Sequence, residues 1–356
     1  MVRIQTIDAH TAGEPLRLIV AGFPHVEGKT VLEQREFVRE NYDDLRRALM
    51  LEPRGHADMY GALLTPAEHP GSHSGVLFMH NEGFSTMCGH GVIAVATIAV
   101  ERRLIDLPRQ ADGTVRLLLD SPAGPIEAIA RTSGDRVTGV AFRNVPSFVL
   151  HAALPIRVGT REIRVDVAFG GAFYAIVDSE AAGLPIMPGA LTDLRRAGME
   201  IKHAVEKAVR VEHPLEPQLH GIYGTIFTGP PSDETADLRN VTIFADAEVD
   251  RSPCGTGTAA VMAVLSAMGI LSQPEQTFTH ESIIGTRFRG RIVDRLTLST
   301  SNFQTPTSKV PNSKEEAAEN GTIEAIVPEI EGEAYITGEH TFILDEQDPQ
   351  RYGFRV

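Results

Sequence analysis

The sequence predicts an α/β protein built as two similar halves, and three observations carry that expectation. The only two cysteines, Cys88 and Cys254, stand roughly half the chain apart. Each lies in a short glycine-containing turn, Met87-Cys88-Gly89-His90-Gly91 and Asp250-Arg251-Ser252-Pro253-Cys254-Gly255-Thr256-Gly257-Thr258. Each turn runs directly into an apolar stretch, Val92 to Val100 and Ala259 to Met268, of the kind that forms a helix enclosed by strands. The order strands, cysteine turn, buried helix, strands therefore occurs twice, which suggests two halves related by a pseudo-twofold with the site in the cleft between them. The expected division is an N-terminal α/β domain over 1–153 carrying Cys88, to which the C-terminal strands are free to return, and a second over 154–356 carrying Cys254.

The elements follow in order. Ile4 to His10 alternates as a strand, and Leu16 to Val20 is its hairpin partner. In 30–50, Val38, Tyr42, Leu45 and Leu49 fall at helical spacing and predict one surface helix. Tyr60 to Leu64 and Ser74 to His80 read as strands, after a loop at Arg54-Gly55-His56. The first cysteine turn and its helix come next, ending near Arg102-Arg103. Val115 to Asp120 and Pro125 to Ala130 form a hairpin turned by Pro122-Ala123-Gly124, and Val137 to Phe142 adds a strand. The pattern restarts near Pro155, with strands at Ile163 to Phe169 and Ala172 to Val177, a helix within Leu191 to Val211, and strands at Tyr223 to Thr228 and Val241 to Phe244. After the second helix, Gly269 is a natural C′ residue. Further strands are expected around Phe278, Phe288, Ile323 to Val327 and Ala334 to Gly338, and an exposed polar loop from Thr305 to Asn320.

Composition bounds the function. With 356 residues, 42% hydrophobic and 22% charged, the chain suits a soluble globular protein of about two domains. A net charge of -14 argues against nucleic-acid or anionic-membrane partners. Two cysteines make no disulfide framework. Met1 to Thr6 reads as a strand rather than a signal-peptide core, and the longest apolar runs, about ten residues, are too short to span a bilayer. A reducing cytoplasm, where both thiols stay free, is the expected compartment.

A helix N-terminus offers unpaired N–H groups and a partial positive charge; it binds carboxylates and is expected to lower a thiol's pKa. Two such turns facing each other would bind one carboxylate and place a sulfur on each face of its α-carbon. One sulfur could remove the α-proton while the other delivers a proton opposite, inverting Cα of a cyclic amino acid. The five lysines, Lys29, Lys202, Lys207, Lys309 and Lys314, provide no convincing pyridoxal phosphate site, so no cofactor is expected. Carbanion stabilisation then falls to a dry cradle of N–H donors. A zinc-type site from Cys88, His90 and Cys254 has poor spacing and lacks a fourth ligand, and no metal is expected. A Cys88–His90 hydrolase would need neighbouring residues to point together.

Both turns resemble the two signature motifs of the proline racemase family, which includes proline racemase, 4-hydroxyproline 2-epimerase and trans-3-hydroxy-L-proline dehydratase. Asp8-Ala9-His10-Thr11-Ala12-Gly13-Glu14-Pro15 resembles its N-terminal signature and Gly170-Gly171-Ala172-Phe173-Tyr174 its middle one. The resemblance implies the diaminopimelate-epimerase-like fold, in which two α/β domains each wrap a strand layer around a central helix. It also implies a cofactor-independent two-thiol mechanism acting on proline or hydroxyproline, in a homodimer. Residue by residue, it makes Cys88 and Cys254 the base and acid, with roles exchanged in the reverse direction. Gly89, His90, Gly255 and Thr256 would contact the substrate carboxylate, Asp250 the ring ammonium, and His213 the ring substituent. In the dehydratases the second motif usually has Thr where Cys254 stands, so the cysteine favours racemisation or epimerisation, with 4-hydroxyproline the expected substrate ahead of proline. Arg54 to Gly61 and Phe78 to Gly83 nevertheless look more like the dehydratase branch, which makes water elimination the alternative or a second activity. A non-catalytic amino-acid-binding protein that kept the cleft is a third possibility.

Overall fold

The computed structural model describes residues 1–273, 275–299 and 321–355; the expected loop from Thr305 to Asn320 lies outside them. The first half runs β1 (Val2–Thr11), β2 (Glu14–Ala21), α1 (Val31–Asn41), α2 (Asp43–Met50), β3 (Tyr60–Thr65), β4 (Ser74–His80), β5 (Phe84–Ser85), α3 (Gly89–Glu101), β6 (Thr114–Ser121), β7 (Gly124–Ser133) and β8 (Arg136–Arg143). The second runs β9 (Ser147–Val158), β10 (Arg161–Phe169), β11 (Phe173–Asp178), α4 (Ser179–Ala182), α5 (Leu191–Ala208), β12 (Gly224–Gly229), β13 (Leu238–Phe244), β14 (Glu248–Asp250), α6 (Gly255–Ala267), β15 (Thr277–Glu281), β16 (Arg287–Ser299) and β17 (Thr322–Gly332), and β18 (Ala334–Leu344) closes the chain.

The strands follow one pairing scheme twice. In the first half β1 pairs antiparallel with β2, β2 parallel with β3, β3 antiparallel with β4, β4 parallel with β6, and β6, β7 and β8 follow antiparallel. In the second, β10, β11, β12, β13, β15, β16 and β17 repeat that series, parallel at β11–β12 and at β13–β15. The strand flanking β10 is β9, while the strand flanking β1 is β18, with Val2 opposite Leu344. β17 pairs with both β8 and β9 and so joins the two wraps.

Each wrap encloses one helix. Every residue of α3 from Gly89 to Ala99 is buried, as is every residue of α6 from Gly255 to Val264. This follows from their composition, since neither helix has a polar face to offer water. Thr97, the one hydroxyl in the body of α3, is satisfied by donating to Ile93 O at 2.8 Å. At the end of α6, Gly269 takes φ +78°, a left-handed turn that stops the helix at its expected C′ residue.

The single helix expected in 30–50 is two, and they are not surface elements throughout. Thr30 starts α1 with a capping box, its hydroxyl accepting from Glu33 N while Glu33 caps Thr30 N. The helix then breaks at Tyr42, with φ -136° and ψ 20°. After the break Arg46 is buried, donating to His80 O at 2.7 Å and Asn81 O at 2.6 Å and pairing with Asp43. Val31, Val38, Leu49 and Met50 pack beneath β3 and β4.

Candidate active site

Cys88 and Cys254 are the N-caps of α3 and α6, buried in the cleft between the wraps and not bonded to each other. Each sulfur accepts the N–H three residues on, Gly91 N at 3.2 Å and Gly257 N at 3.3 Å. Glycine is needed at both positions, since a Cβ at either would fall 2.9 Å from its own sulfur. The two helix starts abut: a Cβ on Gly89 would lie 2.5 Å from Gly255 Cα, and one on Gly255 2.4 Å from Gly89 Cα. The structure therefore brings Cys88, Gly89, His90, Cys254, Gly255 and Thr256 together where the halves meet.

Asp250 joins them. It ends β14, is buried, and holds Ser252 N at 2.8 Å and Ser252 Oγ at 2.7 Å on one carboxylate oxygen. Its charge reaches both thiols, His90 and Glu14. His90 Nδ1 lies 3.2 Å from Cys88 Sγ, and burial holds its imidazole below the usual histidine pKa, hence neutral at pH 7. Thr256 Oγ1 is 2.6 Å from Tyr174 OH, which is also 3.6 Å from Cys254 Sγ.

His213 is not linked to either cysteine turn by any hydrogen bond or ring contact among the described residues. Its ring packs edge-on against Phe148 and Phe169, and its Nδ1 accepts from Leu215 N and Glu216 N. Burial pushes it down to about 4, so it stands neutral in a second core.

The expected lowering of the thiol pKa values does not hold in this state. Burial raises Cys88 well above the ordinary thiol value and pushes Cys254 up to about 12, with Asp250 adding to both. The N–H of Gly91 and of Gly257 pull the other way and lose. Desolvation outweighs the helix start, and both cysteines rest as thiols.

Several further contributors have roles that the sequence leaves open. Glu14 and Asp58, from the first half, hold the second half in place. Glu14 Oε2 accepts Arg251 N at 2.7 Å and Arg251 Nη1 at 3.0 Å, while Asp58 pairs with Arg195 at 2.6 Å and accepts Val249 N at 3.2 Å. Burial and nearby Asp250 raise Glu14 well above the usual carboxylate range, against the pull of Arg251. Tyr60 and Tyr174, both buried, fall inside stretches that the sequence singles out, whereas the half-buried Tyr223 reads there as an ordinary strand residue.

Comparison with known proteins places this arrangement. The family model described as proline racemase matches residues 6–355. The chain is 46% identical to a trans-3-hydroxy-L-proline dehydratase of Bacillus cereus, over 98% of this chain and 97% of the relative. It is 40% identical to a 3-hydroxyproline 2-epimerase of Burkholderia multivorans, over 99% and 98%. Among solved structures, a hydroxyproline epimerase of Agrobacterium vitis with bound trans-4-hydroxy-L-proline superposes with a TM-score of 0.85 at 29% identity, over 100% of this chain and 97% of that one. The fold is accordingly the expected diaminopimelate-epimerase-like α/β architecture.

Proposed function

The chain belongs to the proline racemase family, and on that premise we propose that it inverts Cα of a hydroxyproline by a two-thiol mechanism that needs no cofactor. The observation that carries this is the pair of buried, helix-capping thiols on either side of the Gly89–Gly255 contact. Gly91 N–H and Gly257 N–H are committed to the sulfurs, and among the described residues no acceptor holds the N–H groups of Gly89, His90, Gly255 and Thr256. Those four donors form the cradle for the substrate carboxylate, placed where enediolate charge develops.

Asp250 takes the ring ammonium. Its charge raises both thiols in the ligand-free protein, so an ammonium beside it cancels part of that effect and favours a thiolate when substrate is present. One thiolate then removes the α-hydrogen, the electron pair passes into the carboxylate, and the opposite thiol protonates the other face. The pair holds one proton between two sulfurs and titrates as a unit.

Substrate choice follows the relatives. The Bacillus cereus dehydratase at 46% identity and the Burkholderia multivorans epimerase at 40% are named for 3-hydroxyproline, and the epimerase structure at 29% holds trans-4-hydroxy-L-proline, so 3-hydroxyproline is the proposed substrate, ahead of 4-hydroxyproline and proline. The same names support a second activity. From a 3-hydroxy substrate the α-carbanion can break the C3–O bond, releasing water and leaving an enamine that tautomerises to Δ1-pyrroline-2-carboxylate. One base suffices for that path. Cytoplasmic location and a homodimer complete the proposal, the first because free thiols need a reducing compartment.

The test is a panel of proline and its 3- and 4-hydroxy isomers in heavy water. Inversion with deuterium at Cα is expected for the hydroxyprolines, and imine only from the 3-hydroxy isomer. Absence of both signals across the panel rejects the proposal.

A further inference from the structure

Two stretches that the sequence singles out, Arg54 to Gly61 and Phe78 to Gly83, take no part in the chemistry above. In the structure they are tied together. Asn81 Nδ2 donates to Met50 O at 2.6 Å and to His56 O at 3.1 Å, and Asn81 Oδ1 accepts from Met59 N at 3.3 Å. The loop so held turns at Asp58, which has φ +61°, a left-handed conformation that a residue with a Cβ adopts only when its surroundings hold it there. Among the described residues, every hydrogen bond of the Asp58 carboxylate goes to the second half, to Arg195 and to Val249.

These contacts take hold of the chain on either side of Asp250. On one side, Asp58 Oδ1 accepts Val249 N at 3.2 Å. On the other, Glu14 Oε2 accepts Arg251 N at 2.7 Å. The Arg251 side chain joins the two grips, its Nη1 donating to Glu14 Oε2 at 3.0 Å and to Asp58 O at 3.2 Å. Glu14, Asp58 and Asp250 are all buried. From Asp250 the bonds run on to the second thiol's turn: Asp250 Oδ1 accepts Ser252 N and Ser252 Oγ, and Ser252 Oγ accepts Cys254 N at 3.1 Å. A continuous set of hydrogen bonds therefore leads from the first half, through both neighbours of Asp250, to the cap of α6.

We infer that Asp58 and Glu14 are positioning residues that fix Asp250 where it receives the substrate ammonium. The inference rests on the proposed role of Asp250 as the ammonium acceptor. Each of the two holds, from the first half, a backbone N–H next to Asp250 in the second. The acceptor is thus in place only when the halves are in register. Hydrogen bonds to charged groups depend steeply on distance and angle, so a small shift of Asp250 costs the bond to the ammonium. The N–H groups of Gly89 and Gly255, which face the substrate carboxylate, lie outside this clamp. Closing of the halves and recognition of the ring nitrogen become one event.

The experiment is calorimetric binding of two ligands to the full chain: trans-4-hydroxy-L-proline, read once its epimers have equilibrated, and the same ring with CH2 in place of the nitrogen. Wild type should prefer the amino acid, and Asp250→Asn should remove most of that preference. Asp58→Ala should weaken the amino acid about tenfold or more and the carbocyclic acid by less than about threefold. In the Asp250→Asn background the same substitution should cost less than about twofold, because both changes act through one carboxylate. Arg195→Met removes the side chain that anchors Asp58 and is itself 34% exposed. It should show the same split at about threefold, and it decides the matter if Asp58→Ala does not fold. Equal weakening of both ligands, no weakening, or an undiminished effect in the Asp250→Asn background overturns the inference. If wild type shows no preference for the amino acid, or Asp250→Asn leaves it intact, the reading of Asp250 fails first and takes the inference with it.

Discussion

The turn at Cys88 and the turn at Cys254 place the same atom at the same point of the same kind of helix, yet they are built differently. Cys88 sits in ordinary extended backbone, with φ -145°. Cys254 has φ +64°, a left-handed conformation that costs a residue with a Cβ about 1 kcal/mol or more. That backbone is held from several sides. Ser252 Oγ accepts Cys254 N at 3.1 Å, and Pro253 O accepts from Asn240 Nδ2 at 2.7 Å and Thr258 Oγ1 at 3.1 Å. One sulfur lies 3.2 Å from the His90 imidazole, the other 3.6 Å from the Tyr174 hydroxyl, which is itself bonded to Thr256. The proposed two-thiol chemistry requires equivalent placement of the sulfurs, not equivalent surroundings.

The largest expected effect comes from breaking the equivalence outright. Cys88→Ser and Cys254→Ser should each lower inversion by about a thousandfold or more, because a serine is too weak a base at neutral pH. Full polarimetric activity in either variant would end the two-base scheme. Elimination sharpens the comparison: Cys254→Thr should keep imine formation from 3-hydroxyproline within about tenfold, since one base suffices, while Cys88→Ser should abolish it. The reverse pattern would assign the base to Cys254.

Moving the helix starts apart should come next. Gly89→Ala or Gly255→Ala forces a methyl into the neighbouring backbone, at 2.5 Å or 2.4 Å from its Cα. Misplacement on the order of 1 Å should cost about a hundredfold in kcat/KM, with circular dichroism unchanged. Wild-type kinetics would mean that the close contact does not set the sulfur geometry.

The thiols also fix a direction with pH. Both are raised by burial, Cys254 to about 12, so the thiolate fraction of the ligand-free pair grows as pH rises. kcat/KM should therefore climb from pH 7 toward pH 9 by up to about tenfold per unit. A flat profile over that range would mean that the pair is already ionised at neutrality. The smallest effect should be that of Ser252→Ala, which removes the side-chain acceptor of Cys254 N and one hydroxyl donor to Asp250. About 1 kcal/mol of stability is expected to go by chemical denaturation, and a loss as small from an Ala replacement of Thr11, which donates to His90 O at 2.8 Å on the other turn, would show that the strained cap needs no special support.

Much of the site is legible in the sequence because glycine and cysteine punctuate it. Gly91 and Gly257 leave room for the sulfurs, and the apolar runs after them can only be enclosed. What is not legible depends on distant partners. The 30–50 region has unbroken helical periodicity, and its break at Tyr42 accompanies a buried Arg46 that reaches carbonyls of the β4–β5 connection. β9 goes unread because Pro155 interrupts its pattern, although Pro155 pairs with Arg164 in the sheet. The rise in the thiol pKa values follows from dehydration, which the turns alone do not reveal. Glu14 and Asp58 have no spacing that ties them to Asp250, and only the meeting of the halves brings them to its two neighbours.

The strand beside β1 comes from the far end of the chain, with Val2 opposite Leu344. On a ribosome, the half that contains Cys88 must therefore keep an open sheet edge until β18 has been synthesised, while the half that contains Cys254 has its flanking strand, β9, at its own start. Removing β18 would therefore injure the lobe encoded first, by uncovering the edge of β1.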